Sequence, residues 1–164
     1  MFEKFGEFES YTEINELAEN LCNERDTDSL YVMARENGIE DEITQMYIEG
    51  DVPFLCDAQT AAMGKIDVEV KQLKPQDIML DWVEYLRGQI MDDEKVALSV
   101  RKKGKTLEGM IGALLKWSFG HQRTIDKKIL KAAGVNADRV TLGIPGMGEA
   151  KKIITQYYLE GEKQ

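Results

Sequence analysis

The sequence predicts a mainly α-helical protein, a compact bundle of short helices with at most one short pair of strands. Three observations lead to this fold class. Apolar residues recur at helical spacing in several segments, residues that favour helix N-termini precede those segments, and glycines follow many of them. Only residues 139–144 have the composition of a short strand.

Four short helices are expected in the first 64 residues. Ser10 and Glu13 have the spacing of a capping box, in which the side chain of each residue binds the backbone of the other. The other residues that favour helix ends here are Asp26 or Thr27, Gly38, Gly50, Pro53 and Gly64. Residues 65–74 are interpreted as a connector. We therefore expect an acidic helical subdomain at 1–73 and a basic helical subdomain at 74–164.

The second subdomain contains the clearest apolar stripe. Pro75 suits the first turn of a helix. The apolar residues that follow it at helical spacing are Met79, Trp82, Val83, Leu86 and Ile90. Later helices are expected to start at Asp92 or Asp93, at Thr106 and at Asp126, and the last helix carries Ala150, Ile153, Ile154, Tyr157 and Tyr158 on one face. Tyr157 and Tyr158 suit either the core or a dimer seam, so the oligomeric state stays open.

The two tryptophans differ in their expected surroundings. Trp82 lies on the apolar stripe and is predicted to be core. Trp117 falls off the main face of its helix; a core position is favoured, with packing between subdomains or exposure at an interface as the alternatives.

Charge divides the chain into two unlike parts. The net charge of −9 combines −17 over residues 1–94 with +8 over residues 95–164. Such asymmetry is typical of a nucleic-acid contact at the basic end, or of an acidic surface that meets a basic partner. The alternative is that the two parts attract each other within the fold.

Several function classes are not expected. The charged N-terminal residues do not form a secretory signal, and about 18 consecutive apolar residues occur nowhere, so we expect a cytoplasmic protein with no membrane contact. Cys22 and Cys56 are expected to be reduced, partly buried thiols, with a disulfide between them as the less favoured alternative. His121 suits a surface or capping position near a helix end. We expect no catalytic residues, no metal and no cofactor, and therefore not an enzyme.

One short motif indicates nucleic-acid binding. Ile144-Pro145-Gly146-Met147-Gly148 precedes an amphipathic helix with Lys151 and Lys152 in its first turns. Glycines permit close backbone approach, and free N–H groups at a helix start bind anions. The pattern resembles the hairpin of the helix-hairpin-helix family, which implies contact with the phosphates of double-stranded DNA. The predicted nucleic-acid-binding residues are Gly146, Met147, Gly148, Lys151, Lys152, Arg139, Lys127, Lys128, Lys131, Arg101, Lys102, Lys103 and Lys105.

A second surface is predicted from the acidic residues of the first three helices. These residues fall on outer helix faces or at helix N-termini, where carboxylates suit the helix dipole. The predicted partner-binding acidic surface consists of Glu13, Glu16, Glu19, Asp26, Asp28, Glu40, Asp41 and Glu42.

Residues 80–122 contain a series of short motifs that carry a family resemblance. The segment from Leu80-Asp81-Trp82, through Asp92-Asp93-Glu94, to Lys103-Gly104-Lys105-Thr106-Leu107-Glu108-Gly109-Met110 is similar to the PcfK-like proteins of conjugative and phage-like elements. The chain contains Phe2-Glu3-Lys4-Phe5-Gly6 near its start and Gly143-Ile144-Pro145-Gly146-Met147-Gly148 near its other end. From the first of these segments to the second, the whole chain also resembles proteins from mobile elements of gut Firmicutes with type II anti-CRISPR activity. These resemblances imply inhibition of Cas9, with the Cas9–guide RNA complex as the partner. They supply no catalytic residues.

Three hypotheses follow. The first is an anti-CRISPR protein that blocks target binding or cleavage by Cas9. The second is a sequence-independent DNA-binding accessory protein of a mobile element. The third is a structural or oligomerisation module whose basic part complements its acidic part.

Overall fold

A computed structural model describes residues 3–159 and confirms the mainly helical class. The helices in this range are α1 (Tyr11–Asn23), α2 (Thr27–Glu36), α3 (Asp41–Glu49), α4 (Ala58–Leu73), α5 (Ile78–Asp92), α6 (Glu94–Arg101), α7 (Leu107–Gly120), α8 (Lys127–Ala132) and α9 (Met147–Leu159). Strands β1 (Arg123–Thr124) and β2 (Thr141–Leu142) form one antiparallel pair, with Arg123 opposite Leu142. None of the helices between residues 3 and 159 is both long and apolar enough to cross a membrane.

Most predicted helix starts are confirmed by capping hydrogen bonds. The Ser10 side chain accepts from the Glu13 N–H at 3.2 Å, and the Asp26 carboxylate accepts from the Ser29 N–H at 3.0 Å. Thr106 accepts from the Gly109 N–H at 3.1 Å in the same way. These bonds satisfy backbone donors that have no partner inside their helix. The sequence signals for α1, α2 and α7 therefore located real helix starts.

The predicted end of the fourth helix is wrong. Helix α4 begins after Asp57, not at Pro53, and continues through Gly64 to Leu73, so residues 65–73 are helical and not a connector. Gly64 does not end the helix and instead permits close packing: a Cβ atom there would lie 2.2 Å from the carbonyl oxygen of Asn37. Pro75 is likewise not in the first turn of a helix, since α5 begins only at Ile78.

The apolar residues form two clusters, and α4 contributes to both. The larger cluster contains residues of α4, α5, α6, α7 and α9. The smaller cluster contains residues of α1 and α2, the segment around Leu55 and one residue of α4. Ala62 and Ile66 of α4 lie in the larger cluster, whereas Ala61 lies in the smaller one. Tyr11 packs against both. Helix α4 thus belongs to both apolar clusters and links them.

The structure also locates the aromatic residues left open by the sequence. Trp82 is buried in the larger cluster, as predicted. Tyr158 is buried there too, and Tyr157 packs beside it, so this pair belongs to the core. The core prediction for Trp117 is wrong. Its side chain is half-buried and stacks on His121, with ring centroids 4.0 Å apart. His121 caps the C-terminus of α7 and is exposed, which confirms its predicted position.

Candidate macromolecule-binding surfaces

The acidic surface lies on α1, α2, α3 and their N-terminal caps. Seven of its eight residues are exposed, and Asp41 is half-buried. Helices α1 and α2 pack together, as do α2 and α3, so the carboxylates share one part of the molecule. Residues 1–57 contain 16 acidic residues and 3 basic ones. A strong negative potential is therefore expected over these helices.

Three carboxylates of the acidic surface are already engaged within the fold. Glu13 accepts from the Glu9 N–H at 2.8 Å. Asp41 accepts two hydrogen bonds from the Arg35 guanidinium, at 2.7 and 2.6 Å, and this contact lowers the pKa of Asp41. The hydrogen bond from Ser29 lowers the pKa of Asp26. These three residues thus have structural roles in addition to any contact with a partner.

A groove beside α1 combines carboxylates with aromatic rings. Glu16 and Glu19 line it together with Tyr47 and Phe54, and the Phe54 side chain is 53% exposed. Burial, with the nearby Cys22 and Glu19, raises the pKa of the Tyr47 phenol. Carboxylates beside aromatic rings suit guanidinium and ammonium groups. Phe54 was not among the residues predicted from the sequence, although an aromatic residue directly after Pro53 was an available signal.

Most of the predicted basic residues lie at the surface. Lys103, Lys127, Lys128, Lys131 and Arg139 are exposed, and Lys102 is half-buried. Lys105 is also half-buried: its ammonium donates to the carbonyl oxygen of Tyr157 and lies 5.1 Å from the centre of that ring. The predicted basic residues on and near α8 are thus more exposed than Lys102 and Lys105, which follow α6.

Arg101 is an exception, and its predicted role in nucleic-acid binding is wrong. Its side chain is only 1% exposed. Its guanidinium donates to the carbonyl oxygen of Phe8 and to the side-chain oxygen of Asn37, both at 2.9 Å, and to the carbonyl oxygen of Ala61 at 3.4 Å. Arg101 therefore joins the N-terminal segment, α2 and α4, and it has no accessible surface with which to hold a phosphate.

The glycines of the C-terminal motif are exposed and are not required by packing. A Cβ atom at Gly146 or Gly148 would meet no other atom within 4 Å, and neither residue has a positive φ. The motif connects β2 to α9, and the preceding helix, α8, ends much earlier at Ala132. The bare backbone at the start of α9 is thus open to a close-approaching group.

Lysines flank this bare backbone. The Lys151 ammonium lies 5.2 Å from the centre of the Tyr85 ring, and Lys152 lies 3.6 Å from the Glu149 carboxylate. Both lysines are exposed. Met147, the remaining predicted residue of the motif, is also exposed. The start of α9 therefore combines free backbone with positive charge, a combination that suits an anion.

A buried ionic network was not predicted from the sequence. Lys65 is fully buried, and its ammonium lies 2.6 Å from the Glu7 carboxylate and 4.0 Å from that of Glu69. Glu69 accepts from the Leu107 N–H at 2.8 Å, and burial raises the pKa of its carboxyl group. Burial lowers the pKa of Arg101, which lies nearby. Because opposite charges lie close together in the interior, we infer that these residues contribute to the fold.

The two cysteines are free thiols. Cys56 is buried, and burial raises the pKa of its thiol to about 12, so it is poorly nucleophilic at neutral pH. Cys22 is half-buried.

No protein-family model matches this chain, and no curated protein and no solved structure matches it either. The fold and its surfaces define a mainly helical protein with an acidic N-terminal part and a basic C-terminal part.

Proposed function

We propose that this protein is an anti-CRISPR protein that inhibits Cas9 by binding the Cas9–guide RNA complex. The observation that carries the proposal is the acidic surface on α1, α2 and α3, where seven of eight predicted carboxylate residues are exposed. The resemblance to mobile-element proteins with type II anti-CRISPR activity favours the same partner.

Charge complementarity supplies the physical argument. Cas9 holds its guide–target duplex in a positively charged channel and recognises its target-adjacent motif with arginines. A compact protein with 16 acidic residues among its first 57 would compete with nucleic acid for such groups. In the groove beside Glu16 and Glu19, Tyr47 and Phe54 add ring faces on which a partner's arginine can stack.

The decisive experiment is plasmid cleavage by Cas9 and its guide, with and without a molar excess of this protein. We expect inhibition that persists when excess DNA is added, because the protein would bind Cas9 itself. A variant with Glu16→Gln, Glu19→Gln and Glu42→Gln should inhibit more weakly. The matched control carries Asp81→Asn, Asp92→Asn and Glu94→Gln, which remove three exposed charges outside the acidic surface.

The outcomes separate the alternatives. Loss of inhibition in the first variant alone supports the proposal. Equal loss of inhibition in both variants would show that inhibition depends only on the net charge of the protein. Absence of inhibition across several Cas9 orthologues would contradict the proposal.

The second candidate is a sequence-independent DNA-binding accessory protein of a mobile element. It is favoured by the exposed glycines at the start of α9, which the packing does not require, and by the lysines beside them. Lys151→Glu with Lys152→Glu should then weaken duplex DNA binding strongly. If those changes alter only stability or assembly, the structural-module hypothesis is favoured instead.

A further inference from the structure

The C-terminal end of α7 presents unusually exposed aromatic side chains. Phe119 is 74% exposed, more than any other large apolar side chain between residues 3 and 159. Two residues earlier, Trp117 stacks on the exposed ring of His121, with an angle of 7° between the ring planes. The chain then enters β1, where Arg123 is exposed opposite the exposed Leu142 of β2.

Basic residues outnumber acidic ones in the sequence around these rings. Residues 109–137 contain five basic residues and a single acidic one, Asp126, whose carboxylate is used to cap α8 by accepting from the Lys128 N–H at 2.7 Å. The five basic residues are all exposed, and they are Lys116, Arg123, Lys127, Lys128 and Lys131. Aromatic rings and cations therefore occur together on a segment with little negative charge.

We propose that the end of α7 and the adjoining β1 and α8 form a binding surface for single-stranded nucleic acid. Unpaired bases stack on Phe119 and on the Trp117–His121 pair, while Arg123 and the nearby lysines contact the phosphates. This combination of stacking rings and a cationic track is how proteins hold single strands without reading their sequence. The surface is separate from the acidic surface on α1, α2 and α3 and does not depend on Cas9.

The geometry favours a single strand over a duplex. Phe119 and Trp117 lie two residues apart on one helix, so their side chains leave it in different directions. The bases of a flexible single strand can turn independently to meet two such rings. A duplex keeps its bases paired and stacked on each other, so it would gain only the phosphate contacts. The density of cations similarly favours a polyanion over an apolar protein partner.

Fluorescence anisotropy with three labelled probes tests the proposal: a 20-nucleotide oligo(dT), a 20-nucleotide oligo(rU) and a 20-base-pair duplex. We expect the full chain to bind at least one single strand more tightly than the duplex, and the two single strands show whether DNA or RNA is preferred. Phe119→Ala should weaken single-strand binding by roughly tenfold, in the range expected when one stacking ring is removed, and should leave duplex binding unchanged. Arg123→Gln with Lys127→Gln should make binding less dependent on salt.

The control is Met91→Ala, which removes an apolar side chain that is 61% exposed on α5 and should leave binding unchanged. Phe119→Tyr retains a stacking ring and should restore affinity. Tryptophan fluorescence gives an independent readout, because a bound single strand should quench Trp117 while Trp82 stays buried.

Two results would overturn the proposal. One is equal binding of single strand and duplex with no effect of Phe119→Ala, which would reduce the contact to electrostatics. The other is self-association that Phe119→Ala abolishes in a chain that binds no oligonucleotide, which would assign the rings to a second copy. These assays contain no Cas9, so their failure leaves the proposed inhibition untouched, and the reverse also holds.

Discussion

Arg101 shows how position in the sequence and position in the fold can disagree. It begins a run of four basic residues within five positions, and such runs usually lie on a solvated surface. In the structure its side chain turns inward, because α6 packs against α4 and brings the last residue of α6 to buried acceptors on Phe8, Asn37 and Ala61. A local charge pattern cannot reveal those acceptors, since they lie 40 to 93 residues away along the chain.

Replacing Arg101 should therefore destabilise the protein strongly. Arg101→Met keeps much of the side-chain volume but leaves the acceptors unpaired and the nearby Glu7 and Glu69 less compensated. We expect the free energy of unfolding to fall by about 3–5 kcal/mol, as when one partner of a buried ionic group is removed. Urea denaturation measures this change.

Lys103→Met is the control for that experiment. Lys103 is exposed two residues further along, so its replacement should change stability by no more than about 0.5 kcal/mol. A similar small effect at both positions would show that the Arg101 contacts contribute little.

At the scale of elements, helix starts were predicted better than helix ends. Ser10, Asp26 and Thr106 act through neighbours three residues away, so the sequence contains the whole interaction. The role of Gly64 within α4 involves a distant partner instead. Gly64 lies against the backbone at Asn37 and Gly38, which allows α4 and the end of α2 to come into contact. A glycine that permits packing and a glycine that stops a helix look the same in the sequence.

Two helical glycines provide a matched test of this contact. Gly64→Ala would place a Cβ atom 2.2 Å from a backbone oxygen and should destabilise the protein by about 1–3 kcal/mol or more, as overpacking does. Gly112→Ala on α7 meets no atom within 4 Å and should stabilise by about 0.5–1 kcal/mol through better helix propensity. Thermal unfolding of both variants checks the two signs. Stabilisation by Gly64→Ala would contradict a close contact between α2 and α4.

At the scale of the whole molecule, charge separation was readable from the sequence, whereas the partners of individual charges were not. Counting residues sufficed to locate an acidic and a basic part. The groove that places Phe54 beside Glu16 and Glu19, and the exposure of Phe119, depend on how distant helices and loops pack. The buried network of Lys65, Glu7 and Glu69 depends on it as well.

The charge separation has a measurable consequence for duplex DNA. A protein with a net charge of −9 should be repelled by DNA unless its basic part acts independently. We expect the logarithm of the association constant for duplex DNA to fall linearly with the logarithm of the salt concentration. Lys127→Gln, Lys128→Gln and Lys131→Gln together should reduce that slope by up to about 2.7, or about 0.9 for each phosphate that a lysine no longer neutralises.

Three exposed lysines outside α8 provide the control for this slope. Lys71→Gln, Lys74→Gln and Lys95→Gln remove the same charge elsewhere and should leave the slope nearly unchanged. Equal effects of the two triple variants would show that only the net charge matters.

The bond from Arg101 to Phe8 also constrains the order of events during synthesis. The carbonyl oxygen of Phe8 and the side chain of Asn37 accept hydrogen bonds from Arg101, which lies 93 and 64 residues further along the chain. On the ribosome, α1, α2 and α3 emerge well before that donor is translated. The apolar cluster of α1 and α2 with Leu55 and Ala61 contains only residues that emerge earlier. A translational pause before residue 101 would therefore prolong only the time during which Phe8 and Asn37 lack their Arg101 donor.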